Sequence, residues 1–255
     1  MKKLTPEIRN IFQEKLDTWV EIPEGEVKAS IVMVHGFGTS KHETAGYFDD
    51  LSSALVNDHY RVIRFDFSGY GNSEGRQEDT CYQKHVKDLK MVTNYVNNNY
   101  SEPIYIFAQS MGCFITALAD LEGIAKTIMT GIPNADTQII IDRLVERFGS
   151  RPGAKLNMEG ISQFPRSTGK VQKIGSGFWE DIKSLKPLEL IGNYAKNTKL
   201  LIVHWNQDEI LGFQHLKEYD TLPGVSALWL DGDHSVKKES DRQKFIKIML
   251  NFFNK

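Results

Sequence analysis

The stretch Phe107-Ala108-Gln109-Ser110-Met111-Gly112 constrains the chain more than any other. An apolar, β-prone run, Pro103-Ile104-Tyr105-Ile106-Phe107, leads into it, and a helical pattern over residues 113–119 leads out. A serine at a sharp turn between strand and helix has its hydroxyl lifted clear of the sheet. Small residues two before and two after it let the strand and the helix pass closely. The next backbone N–H, on Met111, opens the helix, where it can stabilise a developing oxyanion. The spacing small-x-Ser-x-Gly is that of a nucleophile elbow, with Ala108 in the place the first glycine usually holds. An ordinary strand–turn–helix can show the same short string, so the rest of the chain has to discriminate.

Strand and helix patterns alternate on both sides of the elbow. Residues about 12–22, with Leu16, Trp19, Val20 and Ile22, read as an opening strand, and Pro23-Glu24-Gly25-Glu26 as a turn. Ala29-Ser30-Ile31-Val32-Met33-Val34 is nearly continuous in apolar residues, as in a strand buried on both faces, and it runs into His35-Gly36-Phe37-Gly38. A helix is expected over about 45–58. A strand over 61–66 then enters the glycine-rich loop 66–73, and a second helix is expected over about 80–98. A strand over 125–130 follows the elbow helix. From about 134 to 197 no strand is convincing. Helical stretches broken by Arg151-Pro152-Gly153 and Gly175-Ser176-Gly177 suggest an insertion too long to be a loop. Strands at 199–205 and 225–230, a short helix at 212–219 and a final helix at 239–253 restore the alternation. The pattern predicts a doubly wound, mostly parallel α/β sheet made from residues 1–133 and 198–255, with a mainly helical insertion at 134–197. Its site is expected at the C-terminal ends of the strands.

Composition removes several classes. The 255 residues are 40% hydrophobic and 25% charged with a formal net charge of -2, so no bulk attraction to nucleic acid or an anionic membrane is expected. No signal peptide or membrane-length apolar stretch is visible, and the expected location is cytoplasmic. Cys81 and Cys113 are the only cysteines, and no zinc-type spacing occurs; no metal and no organic cofactor is expected. Gly69-Tyr70-Gly71-Asn72-Ser73-Glu74 fails as a dinucleotide fingerprint because Glu74 stands where a small residue is needed. The basic weighting of the insertion, through Arg143, Arg147, Arg151, Arg166 and Lys170, reads as a solvated helical face rather than an anion-binding patch.

Three loops at expected strand ends hold reactive groups, in the order Ser110, Asp208, His234. A serine hydroxyl needs a base, a neutral imidazole supplies one near pH 7, and a carboxylate on the second ring nitrogen fixes its tautomer. Asp136 and Glu209 remain alternative acids. Asp231 and Asp233 lie too near His234 in sequence to orient its ring and suit turn roles. His35 suits shaping its own loop and His204 a packed or hydrogen-bonded position. His42, His59, His85 and His215 read as surface residues.

Taken together, these motifs resemble the α/β-hydrolase-fold serine hydrolases over almost the whole chain, and among them capped carboxylesterases of the cinnamoyl/feruloyl esterase and monoacylglycerol lipase type. The resemblance implies an oxyanion hole formed by the N–H groups of Phe37 and Met111. It also implies a cap at 134–197, with Phe148, Phe164, Phe178 and Trp179 as candidate lining residues. The function it implies is cleavage of a small carboxylic ester through an acyl-serine. Thioester, amide or peptide, and lysophospholipid substrates stay open on the same machinery, as do an acyl transferase and a non-enzymatic ligand-binding protein of the same fold.

Overall fold

The computed structural model describes residues 1–166 and 169–255. In chain order the strands are β1 (Lys2–Leu4), β2 (Ile8–Arg9), β3 (Lys15–Leu16), β4 (Thr18–Ile22), β5 (Ser30–Val34), β6 (Arg61–Phe65), β7 (Ile104–Gln109), β8 (Ile124–Thr130), β9 (Ser162–Pro165), β10 (Val171–Ile174), β11 (Lys199–Trp205) and β12 (Val225–Leu230). The α-helices are α1 (Tyr47–Asn57), α2 (Tyr82–Asn99), α3 (Met111–Ala119), α4 (Thr137–Leu144), α5 (Ser176–Ser184), α6 (Pro187–Tyr194) and α7 (Glu239–Asn254). Eight strands make one sheet in the order β1-β4-β6-β5-β7-β8-β11-β12. The pairs β1–β4 and β4–β6 are antiparallel and all the others parallel.

The central strands read as unbroken apolar runs because both faces of the sheet are covered. Side chains still alternate. Val32 and Val34 of β5 and Ile106 and Ala108 of β7 enter the layer with α2, α3 and α6. Ile31, Met33 and Phe107 enter the opposite layer with Tyr47, Phe48 and Leu51 of α1 and Phe245 and Met249 of α7. Edge strand β12 alternates half-buried with exposed residues in its first four positions, as a strand covered on one face should.

The differences from expectation lie in short, polar elements. The opening strand is β4 with the two-residue β3 before it, paired to β2 in a hairpin, and β1 extends the sheet edge. The short helix expected over 212–219 is a 3-10 helix and lies later, at Leu216–Thr221. The segment 134–197 contains an antiparallel hairpin, β9–β10, which corrects the reading that it holds no strand. Of the four buried residues in that hairpin, Ser162 and Gln172 are polar, so no apolar alternation marks it. Helix α6 lies in the layer that covers the sheet, where the Tyr194 hydroxyl and Thr127 Oγ1 of β8 are 2.8 Å apart. No described helix is long and apolar enough to cross a membrane.

Candidate active site

Ser110 sits between β7 and α3 with φ 54° and ψ -126°, a strained backbone for a residue with a Cβ, which costs about 1–3 kcal/mol. Surrounding bonds hold it there: Ser110 N donates to Thr130 O (2.9 Å) and Cys113 N to Ser110 O (2.9 Å). Gly112 is required by the crossing of α3 over β5, since a Cβ on it would lie 2.5 Å from Val34 O. Both small elbow residues, Ala108 and Gly112, are buried.

The turns after β11 and β12 bring two further groups to the same sheet edge. Asp208 is buried, and its Oδ1 accepts from Ile210 N (2.9 Å) while its Oδ2 lies 2.6 Å from His234 Nδ1. A carboxylate facing Nδ1 makes that nitrogen the donor and leaves Nε2 as a free base. Two other contacts seat His234. Gln109 Nε2 donates to its carbonyl (2.7 Å), and Gln109 Oε1 in turn accepts from Thr130 Oγ1. Gly131, at φ 54°, leaves room for the ring; a Cβ there would come within 3.0 Å of His234 Cε1. Ser110 and His234 line one cavity of about 480 Å³. Of the alternative acids, Asp136 caps α4 by accepting from Gln138 N (2.8 Å), and Glu209 lies on the cavity wall with no hydrogen bond or ion pair to His234 among the described residues.

The loop His35-Gly36-Phe37-Gly38 abuts the elbow: a Cβ on Gly36 would lie 3.0 Å from Ser110 Cβ. Among the described residues the N–H groups of Phe37 and Met111 donate to no backbone or side-chain acceptor, so both are free for a ligand. His35 Nε2 accepts from Phe67 N (3.1 Å), which leaves the proton on Nδ1, bonded to Gly36 O (2.9 Å). Burial holds its pKa below the ordinary histidine value, so it is a neutral brace. Beneath this loop Asp66 accepts from Lys41 N (2.6 Å), Lys41 Nζ (2.9 Å) and Asn72 N (2.9 Å).

Two residues of the site were not legible in the sequence. One is Gln109, an elbow position that any side chain can occupy. The other is Glu43, whose Oε1 accepts from Gly36 N (2.5 Å) and Thr39 Oγ1 (2.9 Å) and so tethers the loop beside the serine. Only its place in the polar run Thr39-Ser40-Lys41-His42-Glu43 was visible, and that pattern equally fits a surface turn.

The cavity's other wall comes from the insertion: Ile140, Leu144, Phe148 and Phe178, with Arg143, Arg147 and Arg166. Phe37 packs between the two aromatics, 5.1 Å from Phe178 and 6.0 Å from Phe148. Phe164 and Trp179, considered as lining residues, stand one layer back. Phe164 is fully buried behind Phe148 (6.0 Å), and Trp179, the next residue of the same helix, is fully buried and stands edge-on to Phe178 (5.7 Å). Three of the arginines read as a solvated basic face border the cavity as well: Arg143 and Arg147 are exposed, as that reading has it, and Arg166 is half-buried. One correction concerns His85, which is no surface residue. It is buried and stacked on Phe67 (4.5 Å), neither ring nitrogen has a partner among the described residues, and burial pushes its pKa down to about 3. His204 is packed against Trp229 and bonded to Asp220 (3.0 Å). Asp231 and Asp233 hold turn contacts with Asn206 Nδ2 and Lys237 N.

Residues 25–129, which include the His35–Gly38 loop and the elbow, match the family described as serine aminopeptidase, S33. No curated protein matches the chain by sequence. Among solved structures it is similar to the Pyrococcus furiosus esterase Pf2001, at 19% identity and TM-score 0.76, covering 99% of this chain and 90% of that one. It is similar to Est1E of Butyrivibrio proteoclasticus, solved with ferulic acid bound, at 18% identity and TM-score 0.77, covering 98% and 100%. The esterase domain of a Rhodothermus marinus protein aligns at 20% identity and TM-score 0.73, over 98% and 97%. Sheet order, elbow and near-complete overlay agree: the chain has the α/β-hydrolase fold.

Proposed function

We propose that the protein is a serine hydrolase that cleaves carboxylic esters through an acyl-serine intermediate. The observation that carries this reading is the 2.6 Å contact between buried Asp208 and His234, which lines the cavity that Ser110 also lines. His234 Nε2 takes the Ser110 proton as Oγ attacks the ester carbonyl, and Asp208 stabilises the imidazolium. The N–H groups of Phe37 and Met111 hold the negative oxygen of the tetrahedral intermediate. Collapse breaks the ester C–O bond, and His234 returns its proton to the departing alcohol. A water, deprotonated by His234, then attacks the acyl-serine. The acid leaves and Ser110 regains its proton, so one ester and one water give one acid and one alcohol.

In this reading the segment 134–197 acts as a cap, with Phe148 and Phe178 as its apolar lining. The esterase names among the similar structures support an ester over a peptide, although the matched family is described as an aminopeptidase. Both thiols are free, which fits a cytoplasmic location. The test is Ser110→Ala with 4-nitrophenyl butyrate as substrate. Turnover should fall by about a thousandfold or more while the melting temperature is retained, and a fluorophosphonate should label the parent protein at residue 110 only. Undiminished turnover in the variant overturns the mechanism. Labelling without turnover of any ester, thioester or amide would make the protein a binder.

A further inference from the structure

The cap carries more positive charge at the cavity than the chain neutralises. Arg143 pairs with Glu146 (3.2 Å), but Arg147, Arg151 and Arg166 reach no carboxylate within ion-pair distance among the described residues. All three guanidinium groups surround one ring, that of Phe148: Arg166 at 4.8 Å, Arg151 at 5.1 Å and Arg147 at 5.6 Å. The ring face attracts each cation weakly, while the cations repel one another. Burial, followed by that repulsion, lowers the pKa of Arg166, and repulsion from Arg151 acts in the same direction on the solvent-exposed Arg147. Among the described residues Arg166 Nη1, sealed from solvent, donates to nothing, and its Nη2 has only a long contact with Gly38 O (3.5 Å).

The acids that border the same cavity are mostly engaged elsewhere. Glu43 holds Gly36 N and Thr39, and Asp233 holds Lys237 (3.2 Å). Asp208, engaged with His234, and Glu209 lie near enough to influence Arg147, but neither forms an ion pair with it among the described residues. Arg143, Arg147 and Arg166 therefore face the space that Ser110 and His234 face, with too little counter-charge from the chain itself. A planar guanidinium takes a carboxylate or phosphate in a two-point hydrogen bond, and such charged bonds are the stronger kind.

We infer that Arg147 and Arg166, with Arg143 at the rim, bind an anionic group of the substrate, a carboxylate or a phosphate, so that the preferred ester is negatively charged in the part held under the cap. This inference rests on the hydrolase reading above. It assigns a specificity role to Arg147 and Arg166, which otherwise pack around Phe148, Arg166 with its long contact to Gly38 O.

Two matched ester pairs test it, followed by acid release at constant pH. Monomethyl adipate is compared with methyl hexanoate for a carboxylate, and 2-(butanoyloxy)ethyl phosphate with 2-hydroxyethyl butanoate for a phosphate. At least one anionic ester should exceed its neutral counterpart by about tenfold or more in kcat/KM, chiefly through KM. The pair that shows the larger ratio identifies the anion. That ratio should fall to about one in Arg147→Gln and in Arg166→Gln, and Arg166→Lys should restore part of it. Arg147 is exposed, so its variant carries the test if the Arg166 variant does not fold. Ratios at or below one in the parent protein, or a ratio unchanged in Arg147→Gln, would overturn the inference and leave ester hydrolysis standing. If none of the four esters turns over and no fluorophosphonate labels Ser110, the hydrolase reading fails. Calorimetric titration with adipate and inorganic phosphate then decides the anion site: binding lost in Arg147→Gln supports it, and no binding to the parent protein rejects it.

Discussion

The two walls of the cavity are built on different principles. On the sheet side the backbone decides: Ser110 is held at a positive φ, Gly112 lets α3 cross β5, and Gly131 makes room for His234. Each of these positions is tied to the main core, and almost no other geometry is compatible with it. On the cap side the wall is made of side chains on short helices and a hairpin of four-residue strands: Leu144, Phe148, Phe178 and the arginines. These can change without moving the sheet. On the proposed reading, the difference makes chemistry and selectivity separable in this molecule, because the groups assigned to the first are locked into the fold and those assigned to the second hang from it.

The sharpest way to break that separation is Asp208→Asn. If the sheet-side wall is one chemical unit, the wrong tautomer of His234 should cost about a thousandfold to ten-thousandfold in kcat, measured with 4-nitrophenyl butyrate. A loss below about tenfold would mean that another acid, with Glu209 nearest in sequence, can orient the ring. Next in size is a pair of glycines, one on each side. Gly112→Ala places a methyl 2.5 Å from Val34 O and should destabilise the protein by about 2–4 kcal/mol, or roughly 5–15 °C in melting temperature. In the cap, a Cβ at Gly177 meets only Cys81 Cβ at an ordinary 3.6 Å, so Gly177→Ala on α5 should be neutral or stabilising by up to about 1 kcal/mol. Equal losses at both positions would erase the contrast.

A third prediction concerns what supports the sheet-side wall. His85 of α2 stacks under Phe67, whose N–H anchors His35, and its neighbours include His35 and Lys84. Its folded pKa of about 3 lies below the unfolded value of about 6.5, so the unfolded chain binds a proton that the folded one refuses. Stability is therefore full above about pH 6.5 and lost as the pH falls from there towards 3, by about 2 kcal/mol at pH 5 from this residue alone. Urea midpoints at pH 7 and pH 5 check it: His85→Phe should lose about 2 kcal/mol less than the parent protein over that interval. Parallel losses would show that His85 charges freely in the folded state.

The sequence revealed the two walls unequally, and for a physical reason. Strands buried on both faces leave unbroken apolar runs, and a nucleophile turn leaves a serine between small residues, so β5, β7, β11 and the chain order Ser110, Asp208, His234 could be read directly. Asp208 and His234 were legible as loop residues after apolar strands, without any sign of the 2.6 Å contact between them. The hairpin β9–β10 was hidden because Ser162 and Gln172 occupy inward positions where a strand pattern needs apolar residues. The arginines read as a solvated face, and Arg143 and Arg147 are exposed, but which space they border has no mark in the sequence until the segment is placed. Glu43 and Gln109 act through hydrogen bonds to main-chain atoms distant in sequence, which no local spacing encodes. His85 was misread for a related reason: a lone histidine in a polar stretch carries no mark of burial.

The smallest expected effect isolates the cap wall. Leu144 ends α4, is half-buried and lines the cavity, so shortening it enlarges the site rather than leaving a sealed void in the core. Leu144→Ala should leave the melting temperature within a few degrees and should not touch the His234–Asp208 pair. A pocket contact of this kind is worth about threefold to tenfold in kcat/KM, and the sign should depend on acyl length. The butyrate ester should lose packing against the wall, while the octanoate ester should gain space and lose less, or improve. Because Leu144 is adjacent in sequence to Arg143, the variant also separates apolar fit from charge: the preference for an anionic ester should survive it. If butyrate and octanoate instead fell by the same factor through kcat alone, the cap would be acting on the chemistry itself, and the division between the two walls would fail.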